Sequence, residues 1–189
     1  MKNRDFTQIF TDGDTKVGYI SGSAMVLFIK TGQGGTIYGY ENKYFRIANK
    51  INEEFGYTVV VSSNPYNHTN PLDQAMDVID EYARYNHFSD YEVLYMGHSN
   101  GAVIGFRWGH EYPQIKKMLL INGPLMVNWN HSKNGISKIN DKDVFFVYGE
   151  LDASFRYTQF LQPLVEKKEN LHLITVPNAA HNFEGMMDE

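Results

Sequence analysis

Ser99 stands in the pentapeptide Gly97-His98-Ser99-Asn100-Gly101, between the apolar run Val93 to Met96 and a helix-like run that begins Ala102-Val103-Ile104. A serine at the junction of a buried strand and a helix is held on a strained turn, and its hydroxyl projects clear of the sheet. Glycines two residues to either side remove side chains that would clash there. Such a nucleophile elbow presents an oxygen for attack on an electrophilic carbon. Serine is a weak nucleophile at neutral pH, so a base must take its proton. An acid must then fix the base's tautomer and stabilise its charged form.

In a parallel sheet the functional groups gather beyond the C-terminal ends of the strands, where the connecting loops converge. The strand-like run Val144 to Tyr148 is followed by Gly149-Glu150-Leu151-Asp152, which makes Asp152 the expected acid and Glu150 its substitute. Leu171 to Val176 is followed by Pro177-Asn178-Ala179-Ala180-His181, which makes His181 the expected base. His172 lies inside that strand, and His68, His87, His110 and His131 read as surface residues of loops and helix ends. An oxyanion needs N–H donors. The Gly-rich loop Lys30-Thr31-Gly32-Gln33-Gly34-Gly35-Thr36 can aim the Gln33 amide into the crevice, and the Asn100 amide would complete the pair, with the Gln33 side chain a lesser contributor. No two histidines have the spacing of a metal pair on a helix, and no cysteine occurs, so neither a metal nor another cofactor is expected.

The elements that must position these groups are visible as patterns. Phe6 to Thr11 and Thr15 to Ile20 are strand-like and joined by Asp12-Gly13-Asp14, a hairpin signal. Ala24 to Ile29 and Thr58 to Val61 are continuous apolar runs, as expected of parallel strands covered on both faces. Tyr44, Ile47, Ala48, Ile51 and Phe55 share a helical face that Gly56 would end. Asn70-Pro71 reads as the start of a second helix with Leu72, Ala75, Met76, Ile79 and Ala83 inward; its acids Asp73, Asp77, Asp80 and Glu81 form a solvated face. After the elbow, Gly101, Gly105 and Gly109 recur every fourth residue. Three interior glycines cost a helix about 3 kcal/mol relative to alanine, which predicts a central helix lying too close to the sheet for side chains. Met118 to Ile121 is a further strand, and Tyr157, Phe160, Leu161 and Leu164 mark the last helix. A hairpin followed by such units predicts an α/β fold: a three-layer αβα sandwich around a mostly parallel sheet with an antiparallel N-terminal hairpin and right-handed crossovers.

The 189 residues, 42% hydrophobic and 21% charged, suit one domain spanning 1–189. A formal charge of −5 and the lack of a dense Lys/Arg cluster argue against nucleic-acid or anionic-membrane partners. Met1 to Asp5 lead into no apolar segment of a signal peptide, and no run approaches the length of a membrane span, so no membrane insertion is expected. With no cysteine, the expected compartment is the cytoplasm, and the sequons at Asn67 and Asn130 read as incidental.

The order of Gly-rich loop, G-x-S-x-G, Asp and His, each at a strand end, resembles the α/β-hydrolase superfamily over essentially the whole chain. Thr31 to Gly34 look like that family's oxyanion loop, Gly97 to Gly101 its elbow, Gly149 to Asp152 its acid turn and Ala180 to Phe183 its histidine turn. The resemblance implies Ser99 as nucleophile, His181 as general base and then acid, Asp152 as orienting carboxylate, and hydrolysis of a carboxylic ester or related acyl bond. Lys30-Thr31 departs from the apolar residue and His of many members, and eight residues follow His181. Gly123 to Lys142 is too short for the cap domain often inserted there, which predicts an open crevice for a small-molecule acyl substrate. Leu125, Met126 and Trp129 are candidate pocket walls, or else pack under their loop. Two other readings are a catalytically silent hydrolase fold kept for binding and a nucleotide-binding module built on Gly32 to Gly35. The second lacks the Lys-Ser/Thr ending of a P-loop, and no acid follows the next strand to hold a ribose.

Overall fold

A computed structural model describes residues 5–65 and 72–184. Among these described residues, eight strands form one mostly parallel sheet in the order β1-β2-β4-β3-β5-β6-β7-β8. They are β1 (Gln8–Asp12), β2 (Thr15–Ile20), β3 (Ser23–Lys30), β4 (Tyr57–Ser62), β5 (Glu92–His98), β6 (Ile115–Ile121), β7 (Asp143–Gly149) and β8 (Leu171–Val176). Five α-helices of the described residues accompany them: α1 (Lys43–Phe55), α2 (Asp73–Tyr85), α3 (Asn100–Trp108), α4 (Trp129–Lys138) and α5 (Thr158–Val165). The chain divides into two compact units, 1–95 and 96–189. Among the described residues no helix is long and apolar enough to cross a membrane.

In the first unit β1 and β2 form the expected antiparallel hairpin, in register from Gln8 opposite Tyr19 to Asp12 opposite Thr15. Gly13 takes a φ of 55°, which its turn requires and a side chain would resist. β2 pairs antiparallel with β4, and β4 pairs parallel with β3 with Leu27 opposite Val59. Val26, Phe28, Ile29, Val59 and Val61 are all buried, which accounts for their unbroken apolar runs. α1 packs on β4 and ends at Gly56, whose left-handed backbone returns its N–H to the Asn52 carbonyl at 2.9 Å. α2 turns Ala75, Met76, Ile79 and Ala83 inward, as the pattern predicted. The Asn70-Pro71 start expected for it lies outside the described residues.

In the second unit β6, β7 and β8 run parallel, with Leu119 opposite Phe145 and Phe146 opposite Leu173. Their C-terminal ends therefore open into the turns at 122, 150 and 177. α3 is shorter than its glycine spacing suggested: it stops at Trp108, and Gly109 opens a 3-10 turn beneath the Met118 side chain. The segment 123–142, read from sequence only as a short polar connection, contains α4. Asn128 caps it by accepting the His131 N–H at 3.4 Å, and its inward residues are Ser132, Gly135 and Ile136.

Candidate active site

Ser99 follows β5 with φ 56° and ψ −119°, a backbone conformation that costs a residue with a side chain roughly 1–3 kcal/mol. Two features hold it there. The Ser99 N–H donates to the Ile121 carbonyl at 2.8 Å, and the Ser99 carbonyl accepts from Ala102 as α3 begins. The turn closes so tightly that a Cβ on Gly97 would lie 2.5 Å from the Gly101 carbonyl oxygen, hence the glycine. Asn100 is the first residue of α3, where the backbone amides point out along the helix axis.

Asp152 and His181, from separate strand ends, meet. The His181 Nδ1–H donates to Asp152 Oδ2, and the other carboxylate oxygen accepts the Ser154 N–H at 2.6 Å. The Asp152 side chain is 2% exposed, whereas that of His181 is 44% exposed. A fixed, buried acceptor on Nδ1 leaves Nε2 as the basic nitrogen on the open side of the ring. Glu150 is exposed instead, and its carboxylate takes the Asn178 N–H at 3.4 Å. Tyr148, below the acid turn, donates its hydroxyl to the Gly123 carbonyl at 2.8 Å; burial, and then the Asp152 carboxylate, push its phenol far above the ordinary value. It stays a neutral donor.

No hydrogen bond joins the Ser99 hydroxyl to His181 among the described residues. The elbow meets the histidine turn through the preceding residue: His98 Nε2–H donates to the His181 carbonyl at 2.8 Å, with ring centroids 4.9 Å apart. Asn122, at the end of β6, donates to the same carbonyl at 2.9 Å. Neither partner was legible in the sequence. Of the three proposed pocket walls, Leu125 is fully buried. Met126 is 36% exposed, and Trp129 lies with its ring centroid 6.0 Å from that of Phe160. His172 stacks on its strand neighbour Phe145, as a residue inside a sheet would.

The Gly-rich loop belongs to the first unit and spends most of its amides on itself and its neighbours. Gly34 donates to the Asn64 carbonyl at 2.8 Å, Gly35 to the Gly32 carbonyl at 2.8 Å, and Gly32 to the Tyr44 hydroxyl, whose phenol burial raises to about 12. Gln33 is exposed, and its N–H makes no hydrogen bond among the described residues. A phosphate cradle needs several free amides converging at a helix start. Here the Thr31, Gly32, Gly34 and Gly35 amides already have acceptors, and α1 begins only at Lys43. Lys30, just before the loop, is fully buried with its ammonium on Ser62 Oγ (3.0 Å) and the Ser63 carbonyl (2.7 Å); burial brings it down to about 7. Among the described residues no three His, Asp or Glu are grouped as metal ligands.

No protein-family model matches the sequence, and no curated protein matches it either. Solved structures do. Est1E from Butyrivibrio proteoclasticus is 15% identical with a TM-score of 0.68, over 98% of this chain and 93% of its own. An alpha-beta serine hydrolase homologue from Coxiella burnetii is 16% identical with a TM-score of 0.69, over 100% and 93%. XC6422 from Xanthomonas campestris, described as an a/b serine hydrolase without lid, is 16% identical with a TM-score of 0.66, over 92% and 83%. An elbow at the end of β5, an acid turn after β7 and a histidine turn after β8, on a sheet that superposes on these proteins, are the parts of one architecture: the chain has the α/β-hydrolase fold.

Proposed function

We propose that the protein is a serine hydrolase that cleaves a carboxylic ester or a related acyl bond through an acyl-enzyme. The observation that carries this reading is the Asp152–His181 pair, buried at its acid end and open at its imidazole end, in the same unit as the strained Ser99 turn. His181 Nε2 takes the Ser99 proton as the hydroxyl oxygen attacks the carbonyl carbon, and Asp152 stabilises the imidazolium that results. The Asn100 amide donates to the oxygen that becomes negative. Collapse of the tetrahedral intermediate breaks the bond to the alcohol, which leaves with the proton from His181. Water, deprotonated by the same nitrogen, then attacks the acyl-enzyme and frees Ser99.

The Ser99–His181 bond that the first step needs is not made in the resting arrangement. Catalytic hydrogen bonds in unliganded enzymes are commonly long and tighten only with substrate bound. A short, uncapped connection at 123–142 favours a small or solvent-exposed acyl group, with Met126 and Trp129 as candidate contacts. That missing bond is also what favours the second reading, a silent hydrolase fold retained for binding. A fluorophosphonate probe separates the two. Labelling is expected in the wild-type protein and in Ser89→Ala, and lost in Ser99→Ala. Folded protein that does not label, or labelling that survives Ser99→Ala, overturns the hydrolase assignment.

A further inference from the structure

Asn122 and His98 converge on one atom, the carbonyl oxygen of His181. Asn122 is fully buried at the end of β6, with a left-handed φ of 47° and its own N–H on the Val147 carbonyl at 2.9 Å. Its side chain reaches two turns at once. Oδ1 accepts the Gly149 N–H at 2.9 Å, which fixes the amide's orientation, and Nδ2 therefore faces the carbonyls of His181 (2.9 Å) and Ala180 (3.4 Å). His98, 5% exposed and next to Ser99, supplies the second donor to the same oxygen. Both lone pairs of that carbonyl are used.

The histidine turn needs such anchoring. Residues 177–184 belong to no helix or strand, and the turn's own backbone bonds are long: Ala179 N–H to Val176 at 3.4 Å and Phe183 N–H to Ala180 at 3.2 Å. The two side-chain bonds at 2.8 and 2.9 Å are the shorter ones, and they act on the residue whose ring must meet Asp152. A catalytic group displaced by about 1 Å can lose roughly 10²-fold in rate. We propose that Asn122 and His98 are positioning residues: together they clamp the His181 backbone so that its imidazole stays on Asp152. The catalytic consequence rests on the serine-hydrolase reading; the clamp itself does not.

Asn122→Asp is the sharpest probe, because it keeps an acceptor for Gly149 and sets a carboxylate oxygen against two carbonyls in place of a donor. His98→Phe removes the other donor while keeping a ring, and His98→Gln restores an N–H near the same place. Two readouts are needed: kcat and KM on p-nitrophenyl acetate, and the low-field proton resonance of an imidazole N–H held by a carboxylate. Asn122→Asp is expected to lower kcat by about 10²-fold with KM changed less than about threefold, and to lose the low-field resonance. His98→Phe is expected to lose at least about tenfold in kcat, and His98→Gln to recover most of that loss together with the resonance. If Asn122→Asp does not fold, the His98 pair decides. Folded variants that keep both the resonance and the wild-type kcat overturn the clamp. A wild-type protein inert to ester and fluorophosphonate overturns the hydrolase reading instead, and the resonance then still tests the clamp.

Discussion

Two carboxylates follow β7 within three residues of each other, and the chemistry can use only one of them. Asp152 is buried, spends one oxygen on the Ser154 amide and presents the other to His181 Nδ1, whereas Glu150 is exposed and turned toward the Asn178 amide. A carboxylate fixes the imidazole tautomer by accepting from Nδ1. An amide at 152 would offer its NH₂ or a weaker acceptor, so the ring would lose both its orientation and the partner that stabilises its charge. Asp152→Asn is therefore expected to lower kcat by about 10²–10⁴-fold with little change in melting temperature, and Glu150→Gln to stay within about twofold of wild type. Ester hydrolysis and a thermal melt on each variant check this. The reverse ranking would move the acid role to Glu150.

Where β7 meets the histidine turn, the contact is between backbones. A Cβ on Gly149 would lie 2.8 Å from the Ala179 carbonyl carbon, and the Leu151 N–H donates to the Ala179 oxygen at 2.9 Å. Gly149→Ala must push the two turns apart, so a loss of about 2 kcal/mol in a denaturant melt is expected, with a fall in kcat as His181 moves off Asp152. An unchanged melt would mean that the turns slide past the methyl. The strands and turns here were legible because long apolar runs ended in Gly, Asp and His at the places where a parallel sheet gathers function. α4 was not. Its inward face is Ser132, Gly135 and Ile136, and a Cβ on Gly135 would lie 2.8 Å from the Arg107 Cα, so α3 and α4 approach through small residues that leave no apolar stripe to read. Asn122 was hidden for a different reason: one asparagine after a strand signals only a turn, and its role depends on residues 149, 180 and 181, which the fold alone brings to it.

At the scale of the whole molecule, Lys30 ties stability to pH. Its ammonium is fully buried and, among the described residues, has only neutral oxygens as partners, Ser62 Oγ and the Ser63 carbonyl; burial lowers it from 10.5 to about 7. The sign follows from proton counts. Below pH 7 folded and unfolded chains both carry the proton, and the folded state bears the full cost of a desolvated charge. Between pH 7 and 10.5 the unfolded chain holds a proton that the folded chain has released, so stability rises with pH across that window, and above it the penalty is gone. This contribution amounts to a few kcal/mol, large beside the 5–15 kcal/mol that holds a typical domain together. Lys30→Met retains the aliphatic stem without the charge. Its unfolding free energy, measured by denaturant melts from pH 6 to 10, is expected to rise less steeply than that of the wild type above pH 7. Two parallel curves would mean that Lys30 keeps its proton in the folded protein throughout, with water reaching the ammonium between β3 and β4.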